Sequence, residues 1–416
     1  MHIRVWNGNM KVRLIGEGLF NMLFWMYFPF ITVYFGTALG NHVAGVLMTV
    51  PPLFAMIGSL VGGALTDRFG RRPIMLFGAL LQAVMFVLFA ASGSHWIDYA
   101  AFIGLGLGGA VYRPASSAMV ADLVPAEHRR QVFATFMTVN NIGAVLGPAL
   151  GAVFFFRYRQ ELLWTCAAVL LLYFIAIYFM VRETAPISAD GPDRSKPLAG
   201  VFKEQWHGYG VIFRDKVFLI YIAAGIFSLV PIMQLDLYLS VYVTEEVPAQ
   251  SMFAWKGDPL VLSSMDIYGW LVGFNGLLFV LFILPVTTWF RRWKERNVFI
   301  LSSLLSGVGT FLVGVNSDLW YLFFVTILFT FGEMIRSPVA QSFVSRYAPE
   351  HARGQYMGAD SLQNTIGKFL SPITVFLSSW AAPMVIFGMI LVFALISVAL
   401  YVQLFRMDPE MPRAAQ

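Results

Sequence analysis

Residues 112–148 read YRPASSAMVADLVPAEHRRQVFATFMTVNNIGAVLGP, and residues 335–372 read IRSPVAQSFVSRYAPEHARGQYMGADSLQNTIGKFLSP. A shift of 224 residues sets Pro125 on Pro349, Arg129 on Arg353, Gln131 on Gln355, Asn140 on Asn364, Gly143 on Gly367 and Pro148 on Pro372. A one-residue slip upstream brings Arg113 onto Arg336. Apolar residues coincide easily in a hydrophobic chain. Polar residues at fixed spacing do not, so the two stretches are copies of one unit.

What surrounds each copy is fit for lipid. The chain has 416 residues, 58% hydrophobic and only 12% charged, with a mean hydropathy of +0.70. A soluble domain carries about 25% charged residues, so the surplus apolar surface faces something other than water. A membrane helix needs about 20 mostly apolar residues. Twelve such stretches are predicted, at 14–36, 43–66, 73–91, 98–122, 131–154, 161–182, 216–243, 263–290, 297–315, 319–346, 355–378 and 383–405. An outer-membrane barrel is excluded, because its strands alternate apolar and polar residues over about ten positions. The polar segment RETAPISADGPDRSKPLAGVFKEQWHGYGVIFRDK separates spans six and seven. It divides the chain into an N-terminal bundle (1–182), a linker (183–215) and a C-terminal bundle (216–416).

Orientation follows from the basic residues. With the N-terminus in the cytoplasm, 22 of the 28 fall in cytoplasmic segments, Arg4 and Arg13 among them. Three are external (Arg157, Arg159, Lys256) and three lie inside the membrane (Arg113, Arg336, Lys368). Both termini are therefore expected inside, in a cytoplasmic or inner membrane. The net charge of +5 reflects this bias, and nucleic acid is not needed to explain it. No cleavable signal peptide is expected, since the first apolar run is too long and lacks a small-residue cleavage site. The single cysteine, Cys166, excludes an internal disulfide and a thiol metal site, and the six histidines are scattered. No metal or cofactor is expected, and His128 and His351 read as solvated turn residues.

GGALTDRFGRRP (Gly62 to Pro73) joins spans two and three. Gly70 allows a tight turn, the arginines hold the loop at the cytoplasmic face, and Asp67 is placed to pair with them or to cap a helix. The stretch resembles the signature loop of the major facilitator superfamily, carried here by Gly63, Asp67, Arg68, Gly70, Arg71 and Arg72. That resemblance implies an all-α membrane protein of twelve helices in two pseudo-symmetric six-helix bundles, with a site near the midplane. GAVLGPALG places Gly143, Gly147 and Gly151 four residues apart on span five, with Pro148 among them. Small residues at this spacing let two membrane helices approach closely. The motif is similar to the one that marks the drug/proton antiporter branch.

The ionisable residues deepest in the spans are Arg113, Asp236, Glu333, Arg336 and Lys368, with Glu17, Asp122 and Asp360 nearer the cytoplasmic ends. A charge at mid-membrane costs about 2.5–3.5 kcal/mol on insertion scales. Glu333 and Arg336 lie three residues apart on one helix face, so they read either as a structural ion pair or as part of a transport site. Asp236 has no local partner in LVPIMQLDLYLSVYV. Removal from water penalises its charged form, the property a proton carrier requires.

PIMQLDLYLSVYV and FTFGEMIRSPVAQS resemble the matching segments of LmrP-type bacterial multidrug transporters. The resemblance implies proton-coupled export of lipophilic, often cationic compounds. It puts Asp236 and Glu333 in the places of the coupling carboxylates, and Asp67 and Asp122 at the cytoplasmic gate. Two departures stand out: Phe136 occupies the place of an acidic residue on span five, and the usual span-four arginine motif is missing around Gly104, with Arg113 two to three turns deeper. The aromatic run FNMLFWMYFPF on span one reads equally as cavity lining or lipid-facing surface.

The expected function is thus a proton-driven exporter of small lipophilic compounds, working as a monomer among membrane lipids, with the proton gradient in place of a cofactor. A dedicated carrier of one endogenous lipid, glycolipid or sugar conjugate is the alternative. An enzyme would need a Ser/His, paired Asp or HExxH set at membrane depth, and the sequence offers none.

Overall fold

The computed structural model describes residues 8–124, 126–155, 157–184, 215–255, 258–290, 293–347 and 353–407. Its helices are α1 (Gly8–Leu39), α2 (Asn41–Phe69), α3 (Arg71–Ala91), α4 (His95–Leu123), α5 (Ala126–Phe154), α6 (Arg159–Met180), α7 (Lys216–Ile232), α8 (Tyr238–Glu246), α9 (Ser264–Phe290), α10 (Glu295–Val313), α11 (Leu319–Tyr347), α12 (Arg353–Leu370), α13 (Ile373–Leu377) and α14 (Pro383–Met407). They account for the twelve expected spans. Span seven is broken into α7, a tight 3-10 turn at Met233–Asp236 and α8, and span eleven is broken into α12 and α13. Among the described residues, nine segments are long and apolar enough to cross a membrane on their own. The other three, α4, α5 and α12, carry most of the repeated polar stretches.

The chain turns where glycine allows it. Gly40 and Gly70 take φ of 86° and 96° between α1 and α2 and between α2 and α3, a region other residues enter only at a cost. One short element is not helical: β1 (Gln250–Trp255) and β2 (Asp258–Leu262) form an antiparallel hairpin between α8 and α9. Gln250 ties it down, donating to the Ser317 carbonyl (2.6 Å) and accepting from the Leu319 N–H (2.8 Å) at the start of α11.

By packing, the described residues divide into one unit within Met1–Phe30 and Val50–Val201 and another within Ile31–Thr49 and Phe202–Gln416. In the first, Ile74, Met75 and Ala79 of α3 meet Val111, Tyr112 and Ala115 of α4 and Tyr173 and Ile177 of α6. There α5 lies on α1. A Cβ at Gly143 would come within 2.8 Å of the Met22 nitrogen, one at Gly147 within 2.8 Å of the Met22 carbonyl oxygen, and one at Gly151 would strike the Met26 carbonyl. With Pro148 also buried, this is the close approach the glycine spacing predicts. Tyr27 and Phe30 from the aromatic run are buried, Tyr27 edge-on to Phe86 and Phe102, so part of that run is core.

In the second unit an aromatic cluster joins α7, α10, α11, α12 and α14. Phe299 stacks on Tyr401 at 4.6 Å and Tyr221 on Phe343 at 4.5 Å. Asp215 caps α7 by accepting from the Phe218 N–H (3.0 Å), and its carboxylate also receives Tyr347 and Tyr356, each at 2.8 Å. Deeper in, buried Ser228, Ser303 and Ser397 run from α7 through α10 to α14 in steps of 3.2 and 3.1 Å. Ser397 then donates back to the Ala224 carbonyl of α7 at 2.8 Å.

Candidate functional site

Pro231 has no N–H to give the helix, and α7 stops one residue later. Leu237, at φ −116° and ψ −105°, separates the short turn from α8. In lipid every freed backbone group needs a partner from the protein. Here side chains supply them. Gln234 donates to the Val230 carbonyl (2.7 Å), Thr310 to Pro231 (3.4 Å), Tyr268 to Leu235 (3.2 Å) and Thr32 to Asp236 (2.9 Å). The side-chain Oε1 of Gln234 is fixed in turn by the Thr374 hydroxyl, which donates to it at 2.8 Å. Asp236 closes the turn, and among the described residues its buried Oδ1 has no hydrogen-bond partner. Lys368 of α12, Glu333 of α11 and Tyr268 of α9 lie near enough to interact with it electrostatically.

Glu333 and Arg336 face different neighbours. They form no ion pair among the described residues. The Arg336 guanidinium donates to Gln363 Oε1 of α12 at 3.0 Å, and Gln363 Nε2 donates to Asp360 Oδ1 at 2.6 Å. Tyr221 and Tyr401 flank the same guanidinium. Gly225 makes this possible, because a Cβ there would collide with the Gln363 amide. Glu333 instead lies beside Asn275 of α9, whose amide donates to Thr330 Oγ1 at 2.8 Å. Its carboxylate is not consumed by the arginine one turn away.

In the first unit, Arg113 lies on α4 with its side chain exposed. The buried arginine is Arg13, which the charge count places in a cytoplasmic segment and the structure places within α1 at 2% exposure. It donates to Glu17 Oε1 (2.6 Å) and to Ser116, and Ser116 donates to the same Glu17 oxygen (2.6 Å). Its guanidinium sits 4.4 Å from the centre of the Phe136 ring. An aromatic face on span five thus meets a cation there, at the position where the resemblance implies an acid. The i, i+4 spacing of Arg13 and Glu17 was the available sequence signal.

The α2–α3 loop is held from an unexpected direction. Its Arg71 pairs with Asp122 of α4 at 2.8 Å. The backbone N–H groups of Arg71 and Arg72 donate to the Glu183 carboxylate, each at 3.0 Å, so an acid from beyond α6 caps α3. Gly70 must lack a side chain, since a Cβ would come within 2.6 Å of Glu183. Arg68 lies over the Phe69 ring at 5.6 Å, and Arg72 donates to the Tyr178 carbonyl at 2.6 Å. A Cβ at Gly63 would meet open space, whereas one at Gly62 would lie 2.8 Å from Val111 of α4. The Asp67 side chain, Lys256, His351 and residues 185–214 of the linker lie outside the described residues.

The Major Facilitator Superfamily description matches residues 14–255 and 249–416. A Na(+), Li(+), K(+)/H(+) antiporter of Planococcus maritimus is 38% identical over 390 residues, spanning 91% of this chain and 92% of that protein. Multidrug resistance protein MdtH of Cronobacter sakazakii is 28% identical over 363 residues, spanning 85% of this chain and 82% of its own length. Among solved structures, a POT family transporter in complex with 5-aminolevulinic acid has a TM-score of 0.77 over 97% of this chain and 96% of that one. At 16% identity that likeness shows the fold alone. With its duplicated six-span halves, its span-two loop and a family match over nearly its whole length, the chain belongs to the Major Facilitator Superfamily and is a multi-pass membrane transporter.

Proposed function

We propose that this transporter exchanges protons for cations, exporting lipophilic organic monocations by alternating access, with both termini in the cytoplasm. The observation that carries the reading is the buried, unpartnered Oδ1 of Asp236 at the break in span seven. A carboxylate without a fixed cation, at a point where backbone order is interrupted, suits a group that takes and gives up a proton or a substrate cation. Glu333, unclaimed by Arg336, is the second such group, and Lys368 modulates the first. Arg113 is the candidate coupling cation of the first unit. Exchange needs no cofactor beyond the proton gradient and no second copy of the chain. The MdtH relatives and the likeness to LmrP-type exporters support lipophilic substrates. The Planococcus relative supports a second reading, in which Na⁺, Li⁺ or K⁺ is the exchanged cation.

Energetics separate one coupling carboxylate from two. A pH unit supplies about 1.36 kcal/mol per proton, and 100 mV about 2.3 kcal/mol per net charge. One proton for one monocation moves no net charge; two protons move one. In proteoliposomes, an inside-negative potential without a pH gradient is expected to accelerate exchange of a fluorescent phenanthridinium cation. Asp236→Asn is expected to abolish that acceleration while leaving some pH-driven exchange through Glu333. Wild-type transport indifferent to the potential would overturn the two-carboxylate scheme. Exchange of Na⁺, Li⁺ or K⁺ with no response to lipophilic cations would select the second reading.

A further inference from the structure

Of the side-chain donors that satisfy the broken span, Thr32 has a different origin. Gln234 is on the break itself, and Tyr268 and Thr310 come from α9 and α10. Thr32 comes from the far end of α1, within the Ile31–Thr49 hairpin that packs with the second unit. That hairpin is attached at further points. Asn41 donates to both carboxylate oxygens of Glu245 on α8, at 2.9 and 3.1 Å. His42 lies against Phe376 and Trp380, with ring centres 4.2 and 4.6 Å away. A Cβ at Gly45 would strike the Phe376 backbone. The Thr32–Asp236 and Asn41–Glu245 contacts share one sequence offset, 204 residues, so the stretch from Thr32 to Asn41 is tied at both ends to the stretch from Asp236 to Glu245.

Threonine inside a helix commonly bonds a carbonyl of its own preceding turn, and Thr37 does so, to Val33 at 3.1 Å. Thr32, only 1% exposed, sends its hydroxyl out of α1 to the Asp236 carbonyl instead. We propose that Thr32 is a positioning residue for Asp236: its hydroxyl completes the break in span seven only while the α1–α2 hairpin is docked. When the hairpin leaves, the Asp236 carbonyl loses its donor, the turn from Met233 to Asp236 relaxes, and the carboxylate is re-aimed. Departure of the outer end of span one is thereby tied to the proton-bearing side chain. Thr32 adds no charge. The charged and titratable groups around Asp236 remain Lys368, Glu333 and Tyr268. The inference rests on the reading of Asp236 as a proton carrier.

The test uses the full chain in proteoliposomes with a fluorescent phenanthridinium cation, comparing wild type, Thr32→Val, Thr32→Ser and Asp236→Asn. Proton-driven transport is measured across pH, and labelled-for-unlabelled cation exchange is measured at equal pH. An acceptor left without its donor shifts the balance of docked and undocked states about tenfold. Thr32→Val is therefore expected to displace the pH profile by about one unit, a tenfold change in proton concentration. Self-exchange should persist, which separates mispositioning from misfolding, and Thr32→Ser should restore the profile. If Thr32→Val does not assemble, Thr32→Ala removes the hydroxyl without adding a methyl and gives the same readout. A Thr32→Val profile superimposed on wild type, or a Thr32→Ser profile that stays displaced, would overturn the inference. Asp236→Asn with an unaltered pH dependence would instead overturn the proton-carrier reading, and the inference with it.

Discussion

Arg336 offers a stability experiment with two opposed outcomes. Were Glu333 its support, Glu333→Gln would strand a buried guanidinium and cost about 3–5 kcal/mol. In the structure the support is Gln363, at 3.0 Å, while Arg336 Nε already lacks a partner among the described residues. Gln363→Leu keeps a similar volume but removes the acceptor of a charge-assisted hydrogen bond, a loss of about 1.5–3 kcal/mol. It also removes one donor to Asp360. Glu333→Gln is nearly isosteric and leaves that bond intact, so its cost should stay below about 1 kcal/mol. Equilibrium unfolding of purified protein in mixed micelles, followed by tryptophan fluorescence, reads these differences. A double-mutant cycle with Arg336→Met separates the pairwise part. Coupling of Arg336 to Gln363 should exceed coupling to Glu333 by about 1 kcal/mol or more. The opposite order would refute the account of why Glu333 is available for transport.

Other expectations are independent of that one. Gly70→Ala faces a φ of 96° and a Cβ contact of 2.6 Å with Glu183; it should cost about 1–2 kcal/mol in the same unfolding assay, and a neutral result would remove the reason for a glycine there. Glu183→Gln should loosen the start of α3 and raise amide hydrogen exchange at Arg71 and Arg72, and unchanged exchange would mean that Glu183 does not cap it. Gly147→Leu should separate α5 from α1 and abolish transport, whereas Gly63→Ala, with open space at its Cβ, should leave transport within about twofold of wild type. In a Cys166→Ser background, cysteines at Gly93 and Asn316 should react with an impermeant thiol reagent from outside, and cysteines at Arg71 and Trp293 should not. The reverse pattern would invert the proposed orientation.

The architecture was legible because membrane helices announce themselves by length and apolarity and because the duplication preserves polar residues. Family membership followed from a loop whose residues have little other reason to coincide. The polar interior was less readable. Glu333 and Arg336 are neighbours on one helix, but the partner that decides the arginine's orientation, Gln363, is on another span and looks like any other polar residue. The burial of Arg13 was not readable because a one-dimensional charge count ignores which face of a helix is covered. The role of Glu183 was invisible for a related reason: a helix cap need not come from the residues that precede the helix. The β-hairpin at Gln250–Leu262 is too short to leave a periodic signal beside a chain of spans.

The serine seam across the second unit has a heading. A hydroxyl carries one proton, and the proton of Ser397 is committed to the Ala224 carbonyl. Ser303 must then be the donor towards Ser397, and Ser228 the donor towards Ser303. One peptide carbonyl therefore orients three hydroxyls on three helices, each donating head to tail to the next in a region of low dielectric. Ser397→Ala would do more than delete one link. It would release Ser303 from its obligation to donate to Ser397, so the surviving pair could point either way.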